Sequence, residues 1–177
     1  VKMDVVDNII EHKVNPYLPV EKGPFKPWQT RPVFMAMVGS PVTGFDTDRE
    51  KFITPYRSYN NPMVVEQGAC TNSIAVGDNG IGTLQSDITL QPGETKELVV
   101  IMGIGEAALE GKQATQEISS ADAAYAEYEK LKKYWHANIE GMTVNTPDAE
   151  FNSQLNMWSP FNCLMTYFWS RAASLVY

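Results

Sequence analysis

Short apolar runs punctuated by glycine and proline fill the first hundred residues, and helical spacing takes over after them. RPVFMAMVG is an apolar run closed by Gly39. PMVVEQG and NSIAVG are bounded by Pro, Gly and Asn, and KELVVIMGIG is apolar again. In GTLQSDITL the positions Leu84, Ile88 and Leu90 stand between polar residues. Runs of this length and punctuation predict strands. QPGETK, with Pro92 and Gly93 at its centre, predicts a turn and hence a hairpin between the runs on either side. Repeated short strands of this kind predict part of an antiparallel β-sandwich, ending near residue 104.

Two stretches within 1–104 break the pattern. Residues 1–30 read as an irregular, extended surface segment because of Pro16, Pro19, Pro24 and Pro27. The aromatics Tyr17, Phe25 and Trp28 interleave with those prolines, and they either pin the segment to a sheet face or form a sugar-stacking platform. In FDTDREKF, Asp46 or Thr47 is placed to cap one helical turn that turns Phe45 and Phe52 inward. Asp46, Asp48, Arg49 and Glu50 read as a solvated ion-pair cluster; as a catalytic carboxylate pair they have no support from spacing alone.

From residue 105 the β pattern stops, and 105–145 reads as a helical linker. SSADAAYAEYEKLKKYWHANIEG predicts a helix capped by Ser119 or Ser120 and ended by Gly141, with Asp122 in its first turn. Ala124, Tyr128, Leu131 and Trp135 form its apolar stripe, and Glu129–Lys133 is a supporting pair four residues apart. His136 reads as an ordinary helix residue. Residues 146–177 open a further helical segment. Thr146 is the expected cap, Pro147 the first helical residue and Asp148 part of the first turn. Pro160 is expected to start a second helix capped by Ser159. That last run, PFNCLMTYFWSRAAS, is apolar on nearly every side, as in helices buried among other helices. Too few helices follow to cover it, so the expectation is a truncated domain or an uncovered apolar surface.

Composition narrows the function classes. The 177 residues are 44% hydrophobic and 11% aromatic, values typical of a folded chain. Net charge is −7 and no basic run occurs, which argues against a nucleic-acid partner. Cys70 and Cys163 form no CxxC and are expected as free buried thiols, with one disulfide as the alternative. His12 and His136 stand in no zinc-ligand spacing, so no metal site is expected. No run of about 20 apolar residues suggests a membrane span. The N-terminus has no signal-peptide pattern and starts at Val1, so truncation is expected there as well.

Two blocks, in order and joined by a helical stretch, resemble a known family. FDTDREKFITPYRSYNNPMVVEQGACTNSIAVGDNGIGTLQSDITLQPGETKELVVIMGIG is similar to the late N-terminal β-sandwich of the inverting glycoside phosphorylases of glycoside hydrolase family 94, which includes cellobiose, cellodextrin and chitobiose phosphorylases. LNMWSPFNCLMTYFWSRAAS is similar to the family's entry into its catalytic barrel, with Trp158, Asn162, Cys163, Ser170, Arg171, Ala172 and Ser174 in the pattern's slots. The resemblance implies a β-sandwich (1–104), a helical linker (105–145) and the first helices of an (α/α)6 barrel (146–177). It implies phosphorolysis of a β-linked glucose disaccharide or oligosaccharide by inorganic phosphate, with no metal or organic cofactor. It also implies a homodimeric cytoplasmic enzyme. The GDNGIGTLQSDI wording resembles cellodextrin-like or cellobionic-acid-like members more than cellobiose phosphorylases. The family's sugar-binding glycine-rich segment, general acid and phosphate ligands would lie beyond Tyr177. No catalytic residue is therefore expected in this chain, and Asp46, Asp48 and Asp148 are not assigned that role. The alternatives are a stand-alone carbohydrate-binding sandwich, motivated by Tyr17, Trp28, Tyr56 and Tyr59, and a dimerisation module, motivated by the exposed apolar tail.

Overall fold

A computed structural model describes residues 2–13, 31–77, 79–139 and 141–167. The chain divides into two compact units, Val1–Ala124 and Tyr125–Tyr177. Tyr17, Phe25, Trp28 and the prolines among them lie outside the described residues, as do Ser170, Arg171, Ala172, Ser174 and Tyr177.

The first unit is built on a four-stranded antiparallel sheet. Strands β1 (Lys2–Val6), β2 (Ile9–Lys13), β3 (Val33–Val38) and β6 (Val99–Ile104) lie in the order β1-β2-β3-β6. Strands β4 (Gly44–Asp48) and β5 (Gly80–Gln85) form a separate antiparallel pair. Two expectations are corrected. Residues 2–13 are not irregular: they form a hairpin around Asp7 and Asn8, both at positive φ (51° and 64°), the geometry of a two-residue type I′ turn. The Pro92–Gly93 turn is present, with Gly93 at φ +82° and the Glu94 amide donating to the Gln91 carbonyl at 2.9 Å. It does not join a hairpin, because β5 pairs with β4 while β6 pairs with β3. A local turn signal fixes chain direction, whereas pairing is decided by which apolar faces meet.

Strand alternation sorts the core into two layers. Ile9, Phe34, Ala36 and Ile101 share one sheet face. A π-helical turn (Ala107–Gly111) and α3 (Lys112–Glu117) cover it, with buried Ala107 and half-buried Ala114 and Ile118 in contact. Thus the stretch after residue 104 begins by packing on the sheet. Buried Glu11 holds the join: its carboxylate accepts from the Ala107 amide at 2.6 Å and pairs with Lys13 at 2.5 Å. Gly103 must lack a side chain, since a Cβ there would sit 2.4 Å from Cζ of Phe34. Met3, Ile10 and Ala75 are buried on the opposite face, with Met35 and Leu84 packed against them. The β4–β5 pair covers that face only in part. Toward β6 an apolar cleft of about 320 Å³ opens between Met3, His12, Met35, Ile81 and Met102. On the same side Val100, Met102 and Ile104 are exposed. This is an incomplete sandwich in cross-section, with antiparallel sheets followed by helices, as the sequence suggests.

PMVVEQG and NSIAVG also depart from expectation. The first is a helix, α2 (Met63–Gln67), with Pro62 before it and Gly68 in the left-handed conformation after it. The second makes only isolated bridges, Ser73 to Asp46 and Val76 to Lys2.

In the second unit, α4 (Ala121–Ile139) begins in the first and continues through the predicted helix, with the Ala123 amide donating to Ser120 Oγ at 3.2 Å. Its ion pairs fall three residues apart, Glu127–Lys130 and Glu129–Lys132, not at Glu129–Lys133. Helix α5 (Ala149–Ser153), a π-helical segment (Gln154–Trp158) and α6 (Ser159–Met165) then follow without a break. Asp148, not Thr146, is the cap, accepting from the Glu150 and Phe151 amides. Ser159 is helical rather than capping. The wide turn carries the helix into Pro160, and Ser159 Oγ donates to the Gln154 carbonyl at 3.0 Å. No described residue of 125–167 is buried. Tyr128, Leu131, Phe151, Met157 and Trp158 are exposed; of the run from Pro160, Phe161 and Tyr167 are exposed and residues 168–177 lie outside the described residues.

Candidate functional site

The carboxylates that invite a catalytic assignment each hold the backbone. Asp46, on β4, is fully buried. Its Oδ1 accepts from Thr71 Oγ1 (2.6 Å), the Ser73 amide (3.0 Å) and Ser73 Oγ (2.6 Å), and its Oδ2 accepts from the Thr71 amide (2.9 Å). Burial opposes its ionisation, but the hydrogen bonds from Ser73 and Thr71 outweigh that and hold its pKa below the ordinary value. Asp46 is therefore an anchor for 71–73 and not part of a solvated ion-pair cluster. Asp48, rather than Asp46 or Thr47, caps the next helix and accepts from the Glu50 and Lys51 amides. Phe45 and Phe52 are half-buried.

Beside Asp46 lies half-buried Cys70. Desolvation, the Asp46 charge and a hydrogen bond to Asp46 push its thiol up to about 11. Cys163 is exposed, and both cysteines are free thiols. Among the described residues no group of three His, Cys, Asp or Glu side chains could hold a metal ion.

A cluster of aromatic and polar side chains lies on the loop from Thr54 to Asn61. The loop joins α1 (Arg49–Ile53) to α2, and buried Ile53, Pro62 and Val64 anchor its two ends. Thr54 and Tyr56 both have φ 67°, in the left-handed region. For a bulky residue this conformation costs on the order of 1–3 kcal/mol. Tyr56 is also fully exposed, so burial returns nothing for that strain. Tyr59 is held by Arg49: the guanidinium Nε donates to the phenol oxygen at 2.7 Å and the guanidinium carbon lies 5.3 Å from the ring centroid. Arg57 is tied back to Glu66 and donates to Asn61 Oδ1 at 3.3 Å. Hydrogen bonding from Arg57, with its charge, lowers the Glu66 pKa. The Asn61 amide closes a turn on the Ser58 carbonyl at 3.0 Å. The result is a braced loop carrying one free aromatic face, one fixed aromatic, and polar donors and acceptors.

Tyr56 and Tyr59 thus fall on one loop, while Tyr17 and Trp28 lie outside the described residues. The backbone strain at Tyr56 leaves no mark in the sequence, where TPYRSYNNP reads simply as a loop. The barrel-like slots Trp158, Asn162 and Cys163 are exposed, and Trp158 meets Phe161 edge-on with centroids 6.1 Å apart.

Comparison with known proteins adds two matches that together run nearly the length of the chain. Residues 4–128 match the glycosyl hydrolase 94 supersandwich domain, and residues 134–177 match the catalytic domain of the same superfamily. The chain is similar to the N,N'-diacetylchitobiose phosphorylase of Vibrio proteolyticus, with 33% identity over 133 residues, which is 75% of this chain and 16% of that protein. It is 28% identical to the solabiose phosphorylase of Paenibacillus borealis over 66% of this chain and 15% of that protein. It is also 27% identical to the cyclic β-(1,2)-glucan synthase NdvB of Rhizobium meliloti (strain 1021), over 81% of this chain and 5% of that protein. The chain therefore spans about one sixth of the length of the phosphorylases it matches.

Proposed function

The chain belongs to the glycosyl hydrolase 94 family, and from that premise we propose that it is part of an inverting phosphorylase that cleaves a β-linked disaccharide or short oligosaccharide with inorganic phosphate. The observation that carries this reading is the ordered pair of matches, supersandwich then catalytic domain, across 4–128 and 134–177. A phosphate oxygen attacks the anomeric carbon as the glycosidic C–O bond breaks, and one carboxylic acid gives its proton to the departing oxygen. Inversion of a β-linkage then yields an α-sugar 1-phosphate. We place the acid and the phosphate ligands outside residues 1–177. Asp46, Asp48 and Asp148 already serve as acceptors for backbone amides, so none stands free as a proton donor.

The substrate is proposed as a class. A cellodextrin-like or cellobionic-acid-like substrate is the expectation from the GDNGIGTLQSDI wording. A chitobiose-type substrate has the support of the Vibrio relatives' names. No helix among the described residues is long and apolar enough to cross a membrane, and a cytoplasmic homodimer is proposed with the activity. No metal or organic cofactor is invoked, because phosphate supplies both the nucleophile and its charge.

A second reading, a carbohydrate-binding sandwich without catalysis, is favoured by the exposed Tyr56 and the braced Tyr59. Anomeric analysis separates the two. A polypeptide extended through the catalytic domain should form α-sugar 1-phosphate as its first product. A β-configured first product, or free sugar formed without phosphate, refutes the inverting phosphorylase.

A further inference from the structure

We propose that the 54–61 loop is itself a carbohydrate-contact surface, with Tyr56 as the stacking platform and Arg49 and Tyr59 as its polar surround. The identity of the ligand, a β-linked gluco- or N-acetylgluco-oligosaccharide, rests on the phosphorylase reading above. The surface itself rests on its own geometry.

Three observations carry it. A tyrosine is held in a left-handed conformation that asparagine or glycine adopts with less strain, and its ring reaches no core. Strain of this kind persists where the surroundings over-determine the backbone, and here α1, α2 and the ties from Arg57 to Glu66 and Asn61 do so. The second aromatic, Tyr59, is oriented by Arg49 and needs little ordering on contact. Arg57 is already paired with Glu66, and Arg49 is engaged by the ring and hydroxyl of Tyr59. A β-linked pyranose offers what remains: an apolar ring face for Tyr56 and equatorial hydroxyls for the polar surround.

The test uses residues 1–177 as they stand, titrated with cellotetraose and with N,N'-diacetylchitobiose while amide shifts are followed by NMR. Saturable shifts should cluster at Arg49 and 54–61. Y56A and Y56G should weaken binding by about fivefold or more, and Y56W should retain it. Y56G should melt at the same temperature as the parent or higher, because glycine relieves the positive φ, so a lost fold cannot explain its lost binding. Shifts centred elsewhere, unchanged binding by Y56A, or no binding of either sugar overturns the proposal. If the extended polypeptide still forms sugar 1-phosphate while 1–177 binds nothing, only this surface fails. If both are silent, the phosphorylase reading falls with it.

Discussion

The side-chain amide of Asn156 pairs with both backbone groups of Val144: its Nδ2 donates to the Val144 carbonyl at 2.7 Å and its Oδ1 accepts from the Val144 amide at 2.8 Å. Four residues earlier, Asn152 makes the same pair with Thr146, at 2.8 Å in each direction. Two asparagines one helical turn apart therefore imitate a neighbouring strand for the segment 144–146. They fasten that segment to the helix that follows it, within the catalytic-domain match.

Asn156→Ala should leave two part-buried backbone groups without their partner and cost about 2 kcal/mol of local stability. Asn156→Asp should not rescue it, because a carboxylate can accept from the amide but repels the carbonyl. Hydrogen exchange at the Val144 amide reads the effect directly, with faster exchange expected in both variants.

Asp46→Asn should be costlier, since an amide nitrogen would face donors from Thr71 and Ser73. A loss of about 3 kcal/mol is expected in thermal or urea unfolding. The acid dependence follows from the lowered pKa. The carboxylate of Asp46 binds a proton less readily in the folded chain than in the unfolded one, so its contribution is present above the ordinary value of 3.8. That contribution is lost as pH falls through the lower folded value. The parent chain should therefore lose stability below pH 3.8 more steeply than the Asn variant does.

Thiol chemistry should separate the two cysteines. With its pKa pushed up to about 11 by desolvation and by Asp46, Cys70 carries almost no thiolate at pH 8. Iodoacetamide at pH 8 should label exposed Cys163 first, and mass spectrometry of the digested protein should find Cys70 modified only after unfolding. Rapid native labelling of Cys70 would contradict the Asp46 pocket.

Legibility in the sequence tracked how local each signal was. The long helix Ala121–Ile139, the run Val33–Val38 and the Pro92–Gly93 turn depend on neighbours in the chain, and the pattern shows them. The hairpin at Asp7 and Asn8 is equally local, but the prolines after residue 15 mask it in the sequence pattern. Pairing of β6 with β3, and of β4 with β5, joins residues far apart in sequence, which periodicity cannot decide. Helix caps slipped by one or two residues, from Thr47 to Asp48 and from Thr146 to Asp148, because adjacent Thr and Asp side chains compete for the same amides. Burial of Asp46 was hidden because its partners Thr71 and Ser73 lie some 25 residues away. The strain at Tyr56 is a property of the backbone path and has no compositional mark.

The most direct test of the account is a side-by-side assay of residues 1–177 and of the polypeptide extended through the whole catalytic domain. Each is incubated with cellobiose or N,N'-diacetylchitobiose, with and without inorganic phosphate. α-Sugar 1-phosphate is expected from the extended polypeptide only, and only when phosphate is present. Sugar 1-phosphate from residues 1–177 alone, or disaccharide cleavage that does not need phosphate, would contradict it.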